Sequence, residues 1–244
     1  MKTIVLAAGY ATRLYPLTEN FPKPLLEIGK STILDRLLDD VDKIPEVTEH
    51  IVVTNGKFAP IFEKWAEKRN GKPVKVLNDN TFTNDTRLGA VRDLILAIDT
   101  YHLNEDLLVV AADNILDFSL TGFVEAFKEK GTSMIMCHHE PEIYKLQRTG
   151  VIAVDENMKV LQMQEKPEVP VSHWAVPPFY IYKQSDIPAI LTCIENGCGF
   201  DAPGNLAHFL ADNSVLHAWA MPAGRFDIGS LDTYEEAKKK YGEN

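Results

Sequence analysis

A short apolar run, Ile4 to Ala7, feeds a small-residue turn at Gly9, and Arg13 and Lys23 follow it. Backbone N–H groups gather at the carboxyl end of such a strand. The arginine adds a rigid positive charge and the lysine a mobile one. Together they make a cradle for a polyphosphate. Asp113 closes the apolar run Val109-Val110-Ala111-Ala112, and Asp227 stands in Arg225-Phe226-Asp227-Ile228-Gly229. A carboxylate where a loop leaves a strand suits hard Mg²⁺, which takes carboxylate and phosphate oxygens. Asp113 could instead cap its own loop, and Asp227 could cap the last helix, although Ser230 or Asp232 is better placed for that. Glu165-Lys166-Pro167 supplies a further charged pair, whose composition is also ordinary for a solvated hairpin end.

These groups need strands that stop in the right places. Lys2 to Ala7 reads as a first strand, apolar enough for burial on both faces. Ser31 is placed to cap a helix over Thr32 to Asp42, with Ile33, Leu34, Leu37, Leu38 and Val41 at helical spacing. Strands follow at 51–54, 74–77 and 107–111, with helices at 59–68 and 88–98 between them. That alternation predicts a parallel, doubly wound sheet in the first half. Ligands of such sheets sit at the strands' carboxyl ends, where Gly9, Asn78 and Asp113 fall. Strands are expected at 133–138, 150–154 and 160–164, the last two forming a hairpin turned at Asn157. Ala175 to Tyr182 reads as one strand, edge or bulged because of Pro177 and Pro178. Helices near 187–195 and 205–211, a strand at 215–220 and a helix from Leu231 complete the chain. The lysines at 238–240 suit the negative end of that last helix.

Composition excludes several classes. The chain of 244 residues is 45% hydrophobic and 25% charged, ordinary for one large α/β domain. A net charge of −10 speaks against nucleic-acid binding, which needs a basic face. No run approaches the ~18 apolar residues of a membrane span, so no membrane partner is expected. The first apolar run is too short for a signal peptide. Three cysteines, Cys137, Cys193 and Cys198, lack C-x-x-C spacing and fit reduced thiols in a cytoplasmic protein. A homo-oligomer is compatible with the sequence, which fixes no oligomeric state.

Leu6-Ala7-Ala8-Gly9-Tyr10-Ala11-Thr12-Arg13-Leu14, then Pro16-Leu17-Thr18, then Pro22-Lys23-Pro24-Leu25 resembles a known signature. It is that of the nucleotidyltransferases that activate sugar 1-phosphates, L-A-A-G-x-G-T-R-L-x-P-L-T followed by P-K-P-L. Phe226-Asp227-Ile228-Gly229-Ser230 is similar to the family's W-x-D-I-G-T, and Glu165-Lys166-Pro167 matches its E-K-P. The resemblance runs from Ile4 to the helix after Asp227. It implies a Rossmann-like doubly wound mixed α/β sheet of the nucleotide-diphospho-sugar transferase type. It also implies a single nucleotidyltransferase domain over 1–244, with a nucleotide-binding half at 1–130 and an acceptor-binding half at 131–244.

The implied activity is Mg²⁺-dependent transfer of NMP from a nucleoside triphosphate to a phosphorylated small acceptor, foremost a sugar 1-phosphate, giving an NDP-sugar and pyrophosphate. On this reading Arg13 stabilises the β- and γ-phosphates and Lys23 the α-phosphate region. Lys166 neutralises the acceptor phosphate, and Asp113 and Asp227 share the Mg²⁺. Leu6, Ala8, Gly9, Asn78 and Gly89 hold the nucleotide. Gly150, Glu165, Lys166 and Tyr180 hold the acceptor.

The sequence departs from the family in four places. Ala11 replaces the usual second glycine and tolerates positive φ poorly. Ala112 replaces a glycine before the first Asp. The loop Asn78 to Arg87 is long and rich in Asn and Thr before Leu88-Gly89-Ala90. Its Thr83-Asn84 looks like the loop of phosphocholine cytidylyltransferases, and an Asn amide pairs either uracil or cytosine, so the base stays open. Asp201-Ala202-Pro203-Gly204-Asn205 replaces an acidic E-x-T-D helix start. Trp174, Phe179, Tyr180 and Trp219 could line an acceptor pocket, and a cage of such rings would favour choline. A CTP:phosphocholine-type cytidylyltransferase is therefore one alternative and a non-catalytic nucleotide-sensing protein another. A metal-dependent glycosyltransferase would need D-x-D where Ala111-Ala112-Asp113 stands. The short stretch after Asp227 predicts no C-terminal β-helix of the kind some relatives carry.

Overall fold

The computed structural model describes residues 1–242. In chain order the elements are β1 (Lys2–Leu6), β2 (Glu27–Ile28), β3 (Ser31–Thr32), α1 (Ile33–Val41), β4 (Glu49–Thr54), α2 (Ala59–Ala66) and β5 (Val74–Asn78). Next come α3 (Ala90–Tyr101), β6 (Leu107–Ala111), β7 (Asn114–Leu116), α4 (Thr121–Lys130), β8 (Ser133–His139), α5 (Ile143–Leu146), β9 (Gly150–Val154) and β10 (Val160–Glu165). The last are β11 (Trp174–Val176), β12 (Phe179–Tyr182), α6 (Ile187–Thr192), α7 (Pro203–Asn213), β13 (Leu216–Ala220), β14 (Arg225–Asp227) and α8 (Leu231–Tyr241). The fold is the mixed α/β type expected. The described chain forms two compact units, one of residues 2–87, 111–121 and 222–242, the other of residue 1, 88–110 and 122–221.

In the first unit β1, β4 and β5 run parallel in that order. Their apolar residues are buried on both faces, as Ile4, Val5, Ile51, Val52 and Val53 show. Thr32, not Ser31, caps α1: its side chain accepts from the Asp35 N–H at 3.0 Å. The helix buries Ile33, Leu34, Leu37, Leu38 and Val41 on one face. β14 pairs antiparallel with β7, setting Asp227 opposite Asn114. A core of Leu14, Leu26, Ile28, Ile33, Ile115, Ile228 and Tyr234 lies beneath that ladder. Ser230 caps α8 in a capping box with Thr233, which leaves Asp227 free of the capping task.

In the second unit the strands run β10-β9-β11-β8-β12-β6, antiparallel throughout, and β13 lies parallel to β8. The expected hairpin is present: β9 and β10 pair, with Glu165 opposite Gly150. The expected single strand at 175–182 is instead two. Pro177 and Pro178 interrupt it, since neither has an N–H for the ladder. β11 then pairs with β9 and β8, and β12 with β8 and β6, so both pieces are interior rather than edge strands.

Candidate active site

The phosphate-cradle stretch is held from below. The Ala7 N–H donates to Val53 O at 2.9 Å, and Asn55 Nδ2 donates to Ala8 O at 2.9 Å. Gly9 is exposed, and a Cβ there would meet nothing within 4 Å, so open space lies over the turn. Ala11 does adopt a left-handed backbone, φ 47 and ψ 43, the conformation that glycine takes more readily. Its carbonyl accepts from Thr18 Oγ1 at 2.8 Å and from the Leu14 N–H at 2.9 Å. These bonds hold the strained residue and start the single 3-10 turn, Thr12–Leu14, that presents Arg13 to solvent.

Lys23 sits in a second 3-10 turn, Lys23–Leu25, and is only 8% exposed. A buried ammonium needs a counter-charge, and Lys23 Nζ donates to Asp113 Oδ2 at 3.1 Å. The other oxygen, Asp113 Oδ1, accepts from Asn114 Nδ2 at 2.7 Å. Asn114 is itself oriented by Arg225 Nη1, which donates to its Oδ1 at 2.6 Å. The Ile228 N–H donates to Asp113 O at 3.0 Å, so the backbone after Asp227 is pinned to Asp113. Packing of surrounding protein raises the Asp227 carboxyl above its ordinary value. Repulsion from Asp113 adds to that, and Lys23, Arg225 and Arg13 pull the other way. Arg13, Lys23, Asp113 and Asp227 are thus electrostatically one group. A cavity of about 170 Å³ is lined by Leu6, Gly9, Arg13, Lys23 and Asp113, with Ala11 and Ala112 among its small walls.

Two mutually repelling carboxylates fit a divalent cation, because the cation relieves the repulsion. Among the described residues no group of three or more His, Cys, Asp or Glu converges as a ligand set. Asp113 and Asp227 could supply two carboxylate ligands to such a cation.

The long polar loop after β5 is internally hydrogen-bonded. Asn78 Oδ1 accepts from the Asn80 N–H at 2.8 Å. Asp79 is buried and accepts from the Thr81 N–H and hydroxyl, and burial raises its carboxyl pKa. Thr83 and Thr86 form a capping box around the turn Asn84–Thr86.

The second unit carries the other predicted residues. Gly89 precedes α3 with φ 93, and a Cβ there would come 2.5 Å from Phe200 O. Its absence lets the Ala90 and Val91 N–H groups donate to Asp201 O and Phe200 O. Gly150 lies opposite Glu165 in the hairpin. Burial raises the Glu165 carboxyl, and Lys166 and His208 oppose that shift. Lys166 is exposed in a left-handed conformation, φ 49, with its N–H donating to Thr149 O at 3.0 Å. Tyr180 is 2% exposed and stacks on Tyr182 at 5.7 Å. The rings considered for a choline cage are used separately. Phe179 and Tyr180 are buried neighbours on β12, Trp219 packs on Phe123 at 5.5 Å, and Trp174 meets His139 edge-on. Asn114 and Arg225 were not singled out from the sequence. The only signal was their position, one directly after Asp113 and the other two residues before Asp227.

A profile of the nucleotidyl transferase family matches residues 2–244. The UTP–glucose-1-phosphate uridylyltransferase of Haloferax volcanii is 25% identical over 100% of this chain and 97% of its own length. The glucose-1-phosphate adenylyltransferase of Fervidobacterium nodosum is 26% identical over 96% of this chain, which spans 59% of that relative's length. Among solved structures, a UDP-glucose pyrophosphorylase complexed with UDP-glucose matches with a TM-score of 0.83 and 19% identity, over 99% of this chain and 98% of that one. The likeness to that structure concerns the fold. No described helix is long and apolar enough to cross a membrane.

Proposed function

The chain belongs to the nucleotidyl transferase family, and from that premise we propose that it transfers NMP from a nucleoside triphosphate to a sugar 1-phosphate. The products are an NDP-sugar and pyrophosphate. The observation that carries this reading is the grouping of Arg13, Lys23 and Asp113 around one small cavity, with the Asp227 carboxyl electrostatically coupled to all three. The chain works as one nucleotidyltransferase domain, with the nucleotide on the 1–130 half and the acceptor on the 131–244 half.

The acceptor phosphate oxygen attacks the α-phosphorus in line, and the bond from that phosphorus to the bridging oxygen of the β-phosphate breaks. The attacking oxygen is already anionic near neutral pH, so no general base is needed. Catalysis rests on alignment and charge neutralisation. Arg13 neutralises the β- and γ-phosphates. Lys23 exchanges part of its contact with Asp113 for the α-phosphate. Lys166 holds the acceptor phosphate against a like-charged target, and Glu165 accepts hydrogen bonds from the sugar hydroxyls. Magnesium, when bound by Asp113 and Asp227, supplies further neutralisation of phosphate charge. Leu6, Ala8 and Gly9 give backbone contacts to the nucleotide, and Asn78 and Gly89 border its base. The enzyme acts in the cytoplasm.

The test is pyrophosphate release with Mg²⁺ across ATP, CTP, GTP, UTP and dTTP. Each is paired with glucose 1-phosphate, mannose 1-phosphate, N-acetylglucosamine 1-phosphate and phosphocholine. Turnover with one NTP and a sugar phosphate supports the reading. Turnover confined to CTP with phosphocholine replaces it, and silence with all pairs refutes it.

A further inference from the structure

Glu165 ends β10 directly opposite Gly150, and its side chain is 17% exposed. No described residue donates a hydrogen bond to its carboxylate, whose ion pair with Lys166 is long at 3.9 Å. A partly buried carboxylate is normally satisfied by protein donors or by water. What fixes this one is space. Gly204 is buried in the first turn of α7, and a Cβ built on it would lie 1.9 Å from Glu165 Oε2 and 2.9 Å from its Cδ. A Cβ at Gly150 would lie 3.4 Å from the same oxygen. The carboxylate therefore occupies the place a side chain at position 204 would take. It lies over the positive end of an eleven-residue helix whose N-cap, Ala202, offers no side-chain bond.

We propose that Gly204 is a positioning residue of the acceptor site: by carrying no side chain, it opens the slot that holds the Glu165 carboxylate ready for hydroxyl groups of a sugar phosphate. The proposal rests on the nucleotidyl-transfer reading above. It has an unusual signature. Gly204 has no positive φ, so alanine suits its backbone and is the better helix former. The clash falls on the flexible tip of Glu165 and not on backbone. Gly204→Ala should therefore keep the fold while turning the acid out.

The experiment compares wild type with Gly204→Ala in melting temperature, in steady-state kinetics for both substrates, and in a carbon-13 NMR titration of the Glu165 carboxyl in the free protein. The melting temperature is expected to stay or rise. KM for the acceptor should increase about ten- to hundredfold, the effect of losing hydrogen bonds to a charged group, while KM for the NTP stays unchanged. Glu165 should titrate at a lower pH once displaced toward water. In a Glu165→Gln background, Gly204→Ala should add nothing to the acceptor KM. An unchanged acceptor KM overturns the proposal. So does a lowered melting temperature with both KM values rising together, which would make Gly204 merely structural. If wild type uses no acceptor at all, the functional reading fails. The NMR titration then decides alone: an unmoved Glu165 overturns the positioning role, and a moved one upholds it.

Discussion

Asp113→Asn separates the chemistry of the site from its architecture. Each Asp113 oxygen accepts one donor, Lys23 Nζ on Oδ2 and Asn114 Nδ2 on Oδ1. An asparagine has one carbonyl oxygen and one NH₂ at those two places, so one of the two donors must lose its acceptor. Arg225 keeps Asn114 from turning its amide around, because it already donates to Asn114 Oδ1. An unpaired buried donor costs about 1–3 kcal/mol. The Asp113 side chain is 37% exposed, so water takes up part of the loss and a value near ~1 kcal/mol is expected. For a chain of this size that lowers Tm by roughly 2–4 °C. Turnover should fall much further, by at least ~100-fold, the order expected for one preorganised electrostatic contact. Differential scanning calorimetry and pyrophosphate release, with Mg²⁺ varied to saturation, measure the two effects on one sample. Near-normal turnover at saturating Mg²⁺ would refute the assigned role. A Tm loss above about 10 °C, with turnover following it, would show that Asp113 serves stability instead.

Other expectations follow from single residues. Lys166→Ala should raise KM for the acceptor about ten- to hundredfold and leave KM for the NTP alone; unchanged acceptor kinetics count against its role. Ala11→Gly removes a left-handed alanine, which costs about 1–2 kcal/mol. Part of that gain is lost to the greater freedom of glycine in the unfolded chain, so denaturant titration should show a gain of about 0.5–1 kcal/mol. No gain would mean that the turn is not strained. Burial raises the Glu165 pKa, so the folded state binds its proton more tightly than the unfolded state. Its contribution is fully present below the ordinary carboxylate pKa and is lost as pH rises through the raised value. Glu165→Gln should thus melt close to wild type at acid pH and progressively higher than wild type toward neutrality. A Tm difference that does not change with pH would sink this account.

Much of the fold was legible because long apolar runs stop sharply. β6 was read to the residue, Leu107–Ala111, since Asp106 and Ala112-Asp113 bound the run. Helices with one clear apolar face, such as α1, were read to within a residue or two. What could not be read is non-local or short. The three-residue ladder of β7 and β14 has no periodicity of its own, yet it places Asp227 opposite Asn114. α4 went unseen because Thr121 and Gly122 open it poorly and only Phe123, Val124 and Phe127 are buried. In the sequence Pro177-Pro178 reads as a blemish within one strand, yet a chain without N–H groups there changes partners instead. The candidate site residues were visible as types in motifs. Their partners were not, because the Arg225–Asn114–Asp113–Lys23 chain joins distant segments through side chains alone.

Left-handed backbone at a non-glycine residue occurs at Ala11 and Lys166, and also at Asn80, His102 and Met158. Left-handed φ at a non-glycine costs of order 1–3 kcal/mol and persists only where surrounding bonds over-determine it. Ala11 and Lys166 both pay that cost, at φ 47 and φ 49. Neither has the short polar side chain that eases this conformation in Asn or Asp. Each is locked by backbone bonds, Ala11 O to Leu14 and Thr18, and the Lys166 N–H to Thr149 O. In each case the turn aims a cation, Arg13 in one unit and Lys166 in the other, out of a strand-end loop. If the strain serves only loop closure, glycine at either position should leave kinetics untouched. For Ala11→Gly, added freedom in the turn should instead lower kcat while stability rises. A stabilised variant with full kcat would mean that the left-handed turn aims nothing.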